Sequence, residues 1–328
     1  AGGDRESSFN IPRGVKLYGG FDGTNGIGGG ALETARGQRD PAVNLTTLSG
    51  DLDQDDNNGG DNSENAYHVV YFENVNDQTL LNGFIITGGN ANGSDPEGCG
   101  GGVYNDGSGS GNSSDPQLIN CVISGNSADY GGGLYNNGSD DGNCSPTLIN
   151  CIISGNYADA SGGGMYDDEA NATLTNCTVS GNSADNGGGV YHFESDSLLA
   201  NCIIWNNPLD NVSINGGAPI YSSCHTDSDP LFVIPSDPAL APTTAGDLHL
   251  LTGSPCIDAG DSNAADLPSA DIDGETRDTS PDIGADEFID TSNDQNNNND
   301  DEDDGEDSED DTDDDDKSSK KSSGAGGG

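Results

Sequence analysis

Aspartates recur at one position of a sequence repeat, and they are the side chains best suited to chemistry in this chain. Each follows a short Asn-rich turn, and the four are Asp129, Asp159, Asp185 and Asp210. If the repeats stack as neighbouring strands, these carboxylates lie about 4.8 Å apart, and each adjacent pair repels by roughly 1 kcal/mol in water. Two explanations stay open: the backbone N–H groups of the following glycine turn stabilise each carboxylate, or divalent cations bridge the column.

A second acidic group precedes the repeat. Asp51, Asp53, Asp55 and Asn57 alternate along the chain as oxygen ligands of calcium loops often do. The segment lacks the glutamate at position twelve that an EF-hand requires, so a solvated turn is the alternative. Together with the aspartate column, these residues predict Ca²⁺ as the cofactor.

Catalytic residues are not predicted. Between Arg39 and Arg277 the chain has no Lys or Arg, whereas polysaccharide lyases need a base and a cation beside the sugar carboxylate. Carboxylates are too abundant for any one pair to indicate a glycoside hydrolase. The four histidines, His68, His192, His225 and His249, are scattered through the sequence, and we interpret them as structural or solvated.

The charge narrows the choice of partners. The formal net charge is -49, so the body of the chain cannot neutralise phosphates, and nucleic acid and anionic lipid surfaces are excluded as partners. Cations are the natural partners. No apolar run approaches the roughly 20 residues of a membrane-spanning helix.

A repeat of 25 to 30 residues organises the middle of the chain. Its first block reads LINCVISGN from Leu118, and similar blocks begin at Leu148, Leu174 and Leu199. A second block, a glycine triplet followed by an apolar residue and tyrosine, begins at Gly100, Gly131, Gly162 and Gly187. Identical short strands at this interval stack in parallel, which predicts an all-β parallel β-helix, a solenoid with one coil per repeat.

Within the first block, each position predicts a column of like residues. Leu, Cys and the following Ile or Val are expected to point inward, and the position between Cys and that residue is expected to point outward. The asparagines at the bend, which tolerate a left-handed backbone and can bond to the coils on either side, are Asn120, Asn150, Asn176 and Asn201.

The eight cysteines favour packing over cross-linking. Stacked neighbours place Cβ atoms about 4.8 Å apart, wider than the roughly 3.8 Å of a disulfide, so we expect Cys121, Cys151, Cys177 and Cys202 to be buried free thiols. Cys224 and Cys256 lie outside this ladder, and a disulfide between them or two free thiols are equally open. Pairing of Cys99 with Cys144 has less support.

Four regions follow from these patterns. Residues 1–66 are expected to form an N-terminal cap with an acidic loop, residues 67–222 the coils, and residues 223–289 a C-terminal cap over the open end of the helix. Residues 290–328 contain almost only Asn, Asp, Glu, Ser, Gly and Lys, which predicts a disordered acidic tail that acts as a spacer to an anchor.

The repeat SGNSADYGGGLYN resembles the Gly-rich repeats of bacterial polymorphic outer-membrane-type β-helix proteins. The segments VKLYGGFDGT, LLTGSPCIDAGD and PDIGADEF are similar to those of right-handed β-helix surface proteins with variable C-terminal anchors, and the resemblance covers roughly residues 9–289. It implies a right-handed helix and an extracellular or cell-surface location. It carries no catalytic residues to this chain.

The leading hypothesis is therefore a non-catalytic structural or adhesive protein of the cell surface or extracellular space, stabilised by Ca²⁺ and self-associating. The alternative is a β-helix that degrades or binds carbohydrate, with neutral glycans favoured because the acidic surface repels anionic ones. Partners other than cations are accordingly glycans, other surface proteins or a second copy of the chain.

Overall fold

The computed structural model describes residues 4–22, 37, 39–56 and 62–290. The described residues as far as Ile289 belong to one compact unit. No helix among the described residues is both long and apolar enough to cross a membrane. The helical segments in this part of the chain are short 3-10 turns, including Asn62–Glu64 and Pro238–Leu240.

Three large sheets run the length of the molecule. The strands of the first, sheet A, are β1 (Phe9–Asn10), β4 (Val70–Glu73), β8 (Val103–Asp106), β13 (Leu134–Asn137), β18 (Met165–Asp168), β21 (Val190–Phe193) and β24 (Val212–Asn215). Those of sheet B are β2 (Lys16–Tyr18), β5 (Leu80–Asn82), β10 (Gln117–Ile119), β15 (Thr147–Ile149), β19 (Thr173–Thr175), β22 (Leu198–Ala200) and β25 (Ile220–Ser222).

Sheet C contains β3 (Thr47–Ser49), β6 (Ile85–Thr87), β11 (Val122–Ser124), β16 (Ile152–Ser154), β20 (Thr178–Ser180) and β23 (Ile203–Trp205). Shorter pairings join β7 (Asn90–Ala91), β12 (Ser127–Tyr130) and β17 (Tyr157–Ser161), and also β9 (Ser113–Ser114) with β14 (Asn143–Cys144). An antiparallel pair, β26 (Phe232–Ile234) with β27 (Asp247–Leu250), follows the sheets.

The sheets confirm the predicted columns. Every neighbouring pair in sheets A, B and C is parallel, and Leu118 faces Leu148, which faces Leu174. The chain thus passes from sheet A to B to C once per coil, as a parallel β-helix. Strands β1, β2 and β3 already pair with β4, β5 and β6, so the helix begins well before residue 67, where the sequence placed the end of an N-terminal cap.

The core is a narrow apolar column inside the three sheets. The expected inward residues are fully buried: each Leu of the repeat, each Cys and each following Ile or Val is at most 1% exposed from Leu118 to Ile204. Sheet A adds Val70, Val103, Leu134, Met165 and Val190, all equally buried. Small apolar side chains that alternate inward in every coil therefore replace the single large core of a globular domain.

The bend between sheets B and C has the geometry predicted from its asparagines. All four adopt a left-handed backbone with φ between 51° and 52°. The Asn150 amide donates to Asn120 Oδ1 at 3.2 Å, and the Asn201 amide donates to Asn176 Oδ1 at 3.3 Å. The Asn176 amide instead donates to Asp282 O and Gly284 O of the C-terminal segment, so this column consists of two hydrogen-bonded pairs.

A second asparagine column, which the sequence reasoning did not single out, closes the turn after sheet C. Its members are Asn126, Asn156, Asn182 and Asn207, all buried. Each side-chain amide of the first three donates to the next Oδ1 at 3.0 Å, and the same oxygen accepts the backbone N–H of the preceding asparagine. The four coils that carry this asparagine therefore share one geometry at this corner.

Glycine is required where this corner meets sheet A. A Cβ added at Gly132 would lie 2.2 Å from the backbone oxygen of Tyr157 and 2.6 Å from that of Gly163 in the next coil. The coils can approach to strand spacing here only without side chains. The glycine triplets therefore have a packing role.

The C-terminal segment (residues 226–289) lies along the side of the helix. Ser236 accepts a hydrogen bond from Asn206, Thr243 donates to Gly155 O at 2.7 Å, and Thr244 lies against Gly125. The chain thus runs back across successive coils towards the first ones. The sequence predicted a cap over the open end of the helix, whereas this segment packs along its side. The difference arises because the position of the segment depends on contacts with distant coils, which a segment without a repeat does not reveal in its sequence.

The segment also covers the outward position of sheet C. Ile203 and Thr178, predicted to face outward, are 1% and 2% exposed, because Phe232, Leu248 and Leu250 and their neighbours form a second apolar cluster over them. The outward direction was correct, but the side chains contact protein instead of solvent.

All eight cysteines are free thiols. The buried thiols of the ladder are as predicted, with Sγ atoms near backbone carbonyls such as Leu118 O, 3.3 Å from Cys151. A disulfide between Cys224 and Cys256, and one between Cys99 and Cys144, do not form. Cys224 instead continues the ladder, because Leu199 pairs with Tyr221 and Ala200 with Ser222, which aligns Cys224 with Cys202.

Candidate functional sites

The acidic loop at the first coil brings its aspartates together. Asp51, Asp53 and Asp55 each offer an oxygen to a common group with Glu64 of the 3-10 turn, and these ligand atoms lie within 4.8 Å of one another. Asp51 also accepts the backbone N–H of Gln54 at 2.7 Å and that of Asp55 at 3.2 Å, which curls the loop around its carboxylate. Asn57 lies outside the described residues.

Two oxygens of this loop group are buried without a hydrogen bond among the described residues: Asp55 Oδ1 and Glu64 Oε1. Desolvation, and then the neighbouring Asp53, raise the pKa of Asp55 above its usual value. Several hard oxygen ligands with net negative charge at short separation match the chemistry that Ca²⁺ prefers. The sequence did not predict Glu64 as a ligand, because it lies nine positions after Asp55. The 3-10 turn Asn62–Glu64 places it beside the loop aspartates.

The aspartate column is more open than its spacing suggested. Asp129 is half-buried, and Asp159, Asp185 and Asp210 are exposed. Burial, followed by the charge of Asp159, raises the pKa of Asp129. Asp159 accepts a hydrogen bond from the Tyr157 hydroxyl at 2.7 Å. This bond, and not a bond from the N–H groups of the glycine turn, positions its carboxylate. The four residues do not form one ligand group of the kind seen in the acidic loop, among the residues described.

Tyrosines form a continuous outer column on sheet A. The rings of Tyr71, Tyr104, Tyr135, Tyr166 and Tyr191 stack with centroid separations of 4.9–5.6 Å. Since both faces of each inner ring contact another ring, only ring edges and hydroxyls reach the surface. A sugar ring packs on an open aromatic face, so this column is better suited to stiffening the rod than to stacking glycans.

One small cavity beside this column has a mixed aromatic and acidic lining. It measures about 310 Å³ and is lined by Asp95, Asp129, Tyr130, Tyr135 and Tyr166, with Gly98 and Cys99. Tyr130 is 42% exposed and meets Tyr166 edge to face. The cavity is large enough for a single sugar residue and offers carboxylate acceptors for hydroxyl groups.

A polar column runs through the core of sheet A. The Asn105 amide donates to Asn136 Oδ1 at 3.3 Å, and the Asn136 amide donates to Asp167 Oδ1 at 2.8 Å. His192 Nδ1 lies 3.0 Å from Asp167 Oδ2 but off the line of a hydrogen bond, and its Nε2 is 2.8 Å from the Tyr221 hydroxyl. Because Asp167 and His192 have no exposed surface, this column has a structural role.

A cavity with a histidine and several aspartates in its lining lies between the C-terminal segment and sheet C. The cavity measures about 350 Å³, with Val122 and Ile152 of sheet C on one side and His249, Asp273 and Asp286 on the other. His249 Nδ1 lies 2.5 Å from Asp247 Oδ1, and Nε2 lies 2.9 Å from Asp273 Oδ2. Asp286 is almost fully buried.

The electrostatics of this cavity follow from those contacts. The hydrogen bond to Asp273 raises the pKa of His249 to about 10, and Asp247 acts in the same direction. Burial raises the pKa of Asp286 to about 6. His249 was interpreted from sequence as structural or solvated. Its partners are 2, 24 and 37 positions away in the sequence, a spacing that no local pattern reveals.

Comparison with known families agrees with the geometry. The family model described as "Right handed beta helix region" matches residues 101–228. The chain is a right-handed parallel β-helix. The matched part of the β-helix covers the coils from β8 to the end of β25, where the repeat is most regular. No curated protein matches the chain with significant similarity.

Proposed function

We propose that this β-helix is a non-catalytic structural or adhesive protein of the cell surface or extracellular space, whose rods self-associate through the last coil. The observation that supports this most directly is the open strand edge of that coil. Among the described strands, β24 and β25 are the last in sheets A and B. Unpaired N–H and C=O groups along such an edge recruit further strands.

Apolar exposure at the same edge favours a protein partner. Ile214 is 55% exposed and Ile220 60% exposed, and both lie on the edge strands themselves. Folded chains seldom expose neighbouring large aliphatic residues on an unpaired strand unless another chain covers them.

Charge favours a second copy as that partner. Asp196 and Asp210 lie near the last coil, whereas Arg13 and Lys16 lie at the first coil. Head-to-tail stacking would continue the parallel sheets, and Arg13 and Lys16 would offset part of the repulsion between the acidic last coil and the acidic loop of the first. Such a contact joins different surfaces of two copies, so it extends into filaments instead of closing as a dimer.

Sedimentation velocity over a range of protein concentrations tests this proposal. We expect the average mass to rise with concentration, and we expect the double variant Ile214→Lys/Ile220→Lys to remain monomeric. Leu240→Lys is the matched control, because Leu240 is 63% exposed but lies on the C-terminal segment. A monomer at every concentration, or association that the double variant retains, would refute the self-association.

Calcium is the proposed cofactor of the acidic loop. Four carboxylates and two unpartnered buried oxygens support this assignment. A ligand that binds only the native state stabilises it by about 2.7 kcal/mol at one hundred times its dissociation constant. Thermal melts with Ca²⁺ and with EDTA at matched ionic strength should differ in the wild type and in the exposed control Asp77→Asn, but not in Asp53→Asn/Asp55→Asn. Equal melting temperatures in the wild type would remove calcium from the proposal.

Glycan binding is the second candidate function, and the cavity beside Tyr130 favours it. The exposed ring and the carboxylates of Asp95 and Asp129 could hold a neutral sugar. Screening the protein on neutral glycans for binding and for release of reducing ends separates a binding protein from an enzyme. Binding that Tyr130→Ala abolishes without loss of stability would support this function over self-association alone.

A further inference from the structure

Three side chains from separate parts of the C-terminal segment converge at the mouth of the 350 Å³ cavity. His249 belongs to β27, Asp273 lies in the turn that follows Asp271, and Asp286 comes from the last described stretch. One ligand atom from each lies within 4.8 Å of the other two. The sequence separation of these residues means that only the folded segment creates the group.

Asp247 orients the imidazole. Its Oδ1 is 2.5 Å from His249 Nδ1, so Nε2 points to the other side, 2.9 Å from Asp273 Oδ2. A histidine that binds a metal commonly has its other ring nitrogen hydrogen-bonded to a carboxylate, which fixes the ring orientation and raises its basicity. Asp247 occupies that position.

Asp286 supplies an independent observation that points to a ligand. It is only 7% exposed, yet its carboxylate accepts just one hydrogen bond from the residues that the structure describes, from the backbone N–H of Leu250 to Oδ2 at 2.7 Å. A buried carboxylate normally has several donors around it, because an ionised group is costly to bury without partners. The Asp286 side chain thus lines the cavity beside His249, largely buried, with one backbone donor as its described hydrogen-bond partner.

The dimensions suit a small, tetrahedral cation. Zinc bonds to histidine nitrogen and carboxylate oxygen are about 2.0–2.2 Å long, which places neighbouring ligand atoms of a tetrahedron roughly 3.3 Å apart. The Nε2 to Oδ2 separation of 2.9 Å needs only a small expansion. The imidazole nitrogen also distinguishes this group from the all-oxygen acidic loop, since Ca²⁺ takes oxygen ligands whereas imidazole suits Zn²⁺ and related metals.

We propose that His249 Nε2, Asp273 and Asp286 form a binding site for one Zn²⁺-like divalent cation, with Asp247 as the positioning residue of the histidine. On binding, the cation replaces the proton on Nε2, and that proton passes to solvent. Three protein ligands leave a fourth coordination position for water on the cavity side. The site ties β27 to the two later turns of the C-terminal segment, independently of self-association and of the acidic loop.

Isothermal titration of the full chain with ZnCl₂ tests the proposal. The protein is first dialysed against EDTA and then titrated in excess Ca²⁺, so that oxygen-only sites are saturated and do not contribute. We expect one Zn²⁺ per chain. His249→Gln and Asp286→Asn should each weaken binding by at least about tenfold, and Asp247→Asn by about 10–100-fold through the lost orientation.

His225→Gln is the matched control. His225 is another partly exposed histidine, and its Nε2 is 2.8 Å from the Ser228 carbonyl oxygen, a backbone partner in place of a carboxylate. This variant should bind Zn²⁺ as the wild type does. Equal loss in His225→Gln and His249→Gln, or full retention in His249→Gln, would overturn the site.

A measurement on the wild type covers the case in which a variant does not fold. The chain has four histidines, and in long-range ¹H–¹⁵N spectra Zn²⁺ should shift the ring nitrogens of one of them strongly. Assignment of that signal to His249 supports the proposal. Absence of any shifted imidazole, or a shift of several at once, contradicts it.

Discussion

At the residue scale, the buried pair of Asp167 and His192 limits which substitutions the core of sheet A tolerates. Asp167 accepts hydrogen bonds from Asn136 at 2.8 Å and from the Ser197 hydroxyl at 2.7 Å, next to the imidazole. Removal of one partner of a buried pair leaves the other polar groups without partners, which is more costly than replacing the whole group by apolar residues.

We therefore expect Asp167→Ala to lower the free energy of unfolding by about 3–5 kcal/mol, as measured by denaturant titration. The double variant Asp167→Leu/His192→Phe should recover part of that loss. Asp159→Ala, at an exposed position of the aspartate column, should change stability by less than about 0.5 kcal/mol. A loss in Asp159→Ala equal to that in Asp167→Ala would show that the polar column is not structural.

The burial of Asp282 makes the stability of the folded protein depend on pH, and the shift of its pKa determines the direction. Its carboxylate accepts the backbone N–H groups of Asp258 and Phe288, both at 2.7 Å, and burial raises its pKa to about 6 from 3.8. Between those values the native state binds a proton that the unfolded state does not. Stability from this group therefore increases as the pH falls from about 6 towards 4, and decreases as the pH rises.

Unfolding titrations at several pH values between 4 and 7 measure this slope. Asp282→Asn should make it shallower by up to one proton, although the variant is less stable at every pH because one amide replaces an acceptor oxygen. Asp77→Asn, at an exposed position, should keep the wild-type slope. An unchanged slope in Asp282→Asn would assign the pH dependence to other carboxylates.

At the element scale, the buried asparagine ladder at the second corner determines how closely the coils stack. Asn156 Oδ1 accepts both the backbone N–H and the amide of Asn126, and its own amide donates to Ile123 O and Asn182 Oδ1. Each of these buried groups loses a partner if the side chain is shortened. An orphaned buried donor or acceptor costs about 1–3 kcal/mol.

Asn156→Ala should accordingly lower the unfolding free energy by at least about 2 kcal/mol and increase hydrogen exchange in the two adjoining coils. Asn186→Ala is the control, because Asn186 is exposed and donates one 3.3 Å bond to Ala160 O. Should both variants lose the same stability, the ladder would have no special role.

Sequence alone predicts those elements whose side chains repeat. The Leu, Cys and bend-asparagine columns are visible because each coil shows the same residue at the same position. The strand containing Tyr221 lies at the end of the predicted coils, but its place in the columns is hidden in the sequence. Tyr221 stands in the Leu position and Ser223 in the Asn position, although Ser223 keeps the left-handed backbone with φ of 50°. For the sites, the alternation of Asp51, Asp53 and Asp55 was informative, but nothing near His249 indicates that Asp273 and Asp286 fold against it.

At the scale of the whole molecule, Arg277 joins the C-terminal segment to the coils. It pairs with Glu287 at 2.9 Å, donates to the carbonyls of Gly284 and Ala285 at 3.0 Å, and reaches Asn150 of the bend column at 3.2 Å. Arginine satisfies several acceptors at once in such a buried position. Its loss would leave Glu287 buried without its cation.

Arg277→Ala should release the segment while the sheets stay folded. In hydrogen exchange, we expect amides of residues 226–289 to lose protection and those of sheets A and B to keep it. Arg13→Ala, an exposed arginine of the first coil, should leave both regions unchanged. Uniform loss of protection along the chain would mean that segment and coils unfold as one unit.

The path of the C-terminal segment has a consequence for how this molecule can change in length. Its contacts step backward through successive coils, from Asn206 at Ser236 to Gly155 at Thr243, and from Asn201 at Asp261 to Asn150 at Ala270. The length of the segment therefore matches the number of coils that it crosses. Duplication of one coil would move the later coils away from their hydrogen-bond partners in the segment. Coils can thus be gained or lost only if the segment is lengthened or shortened by a matching amount.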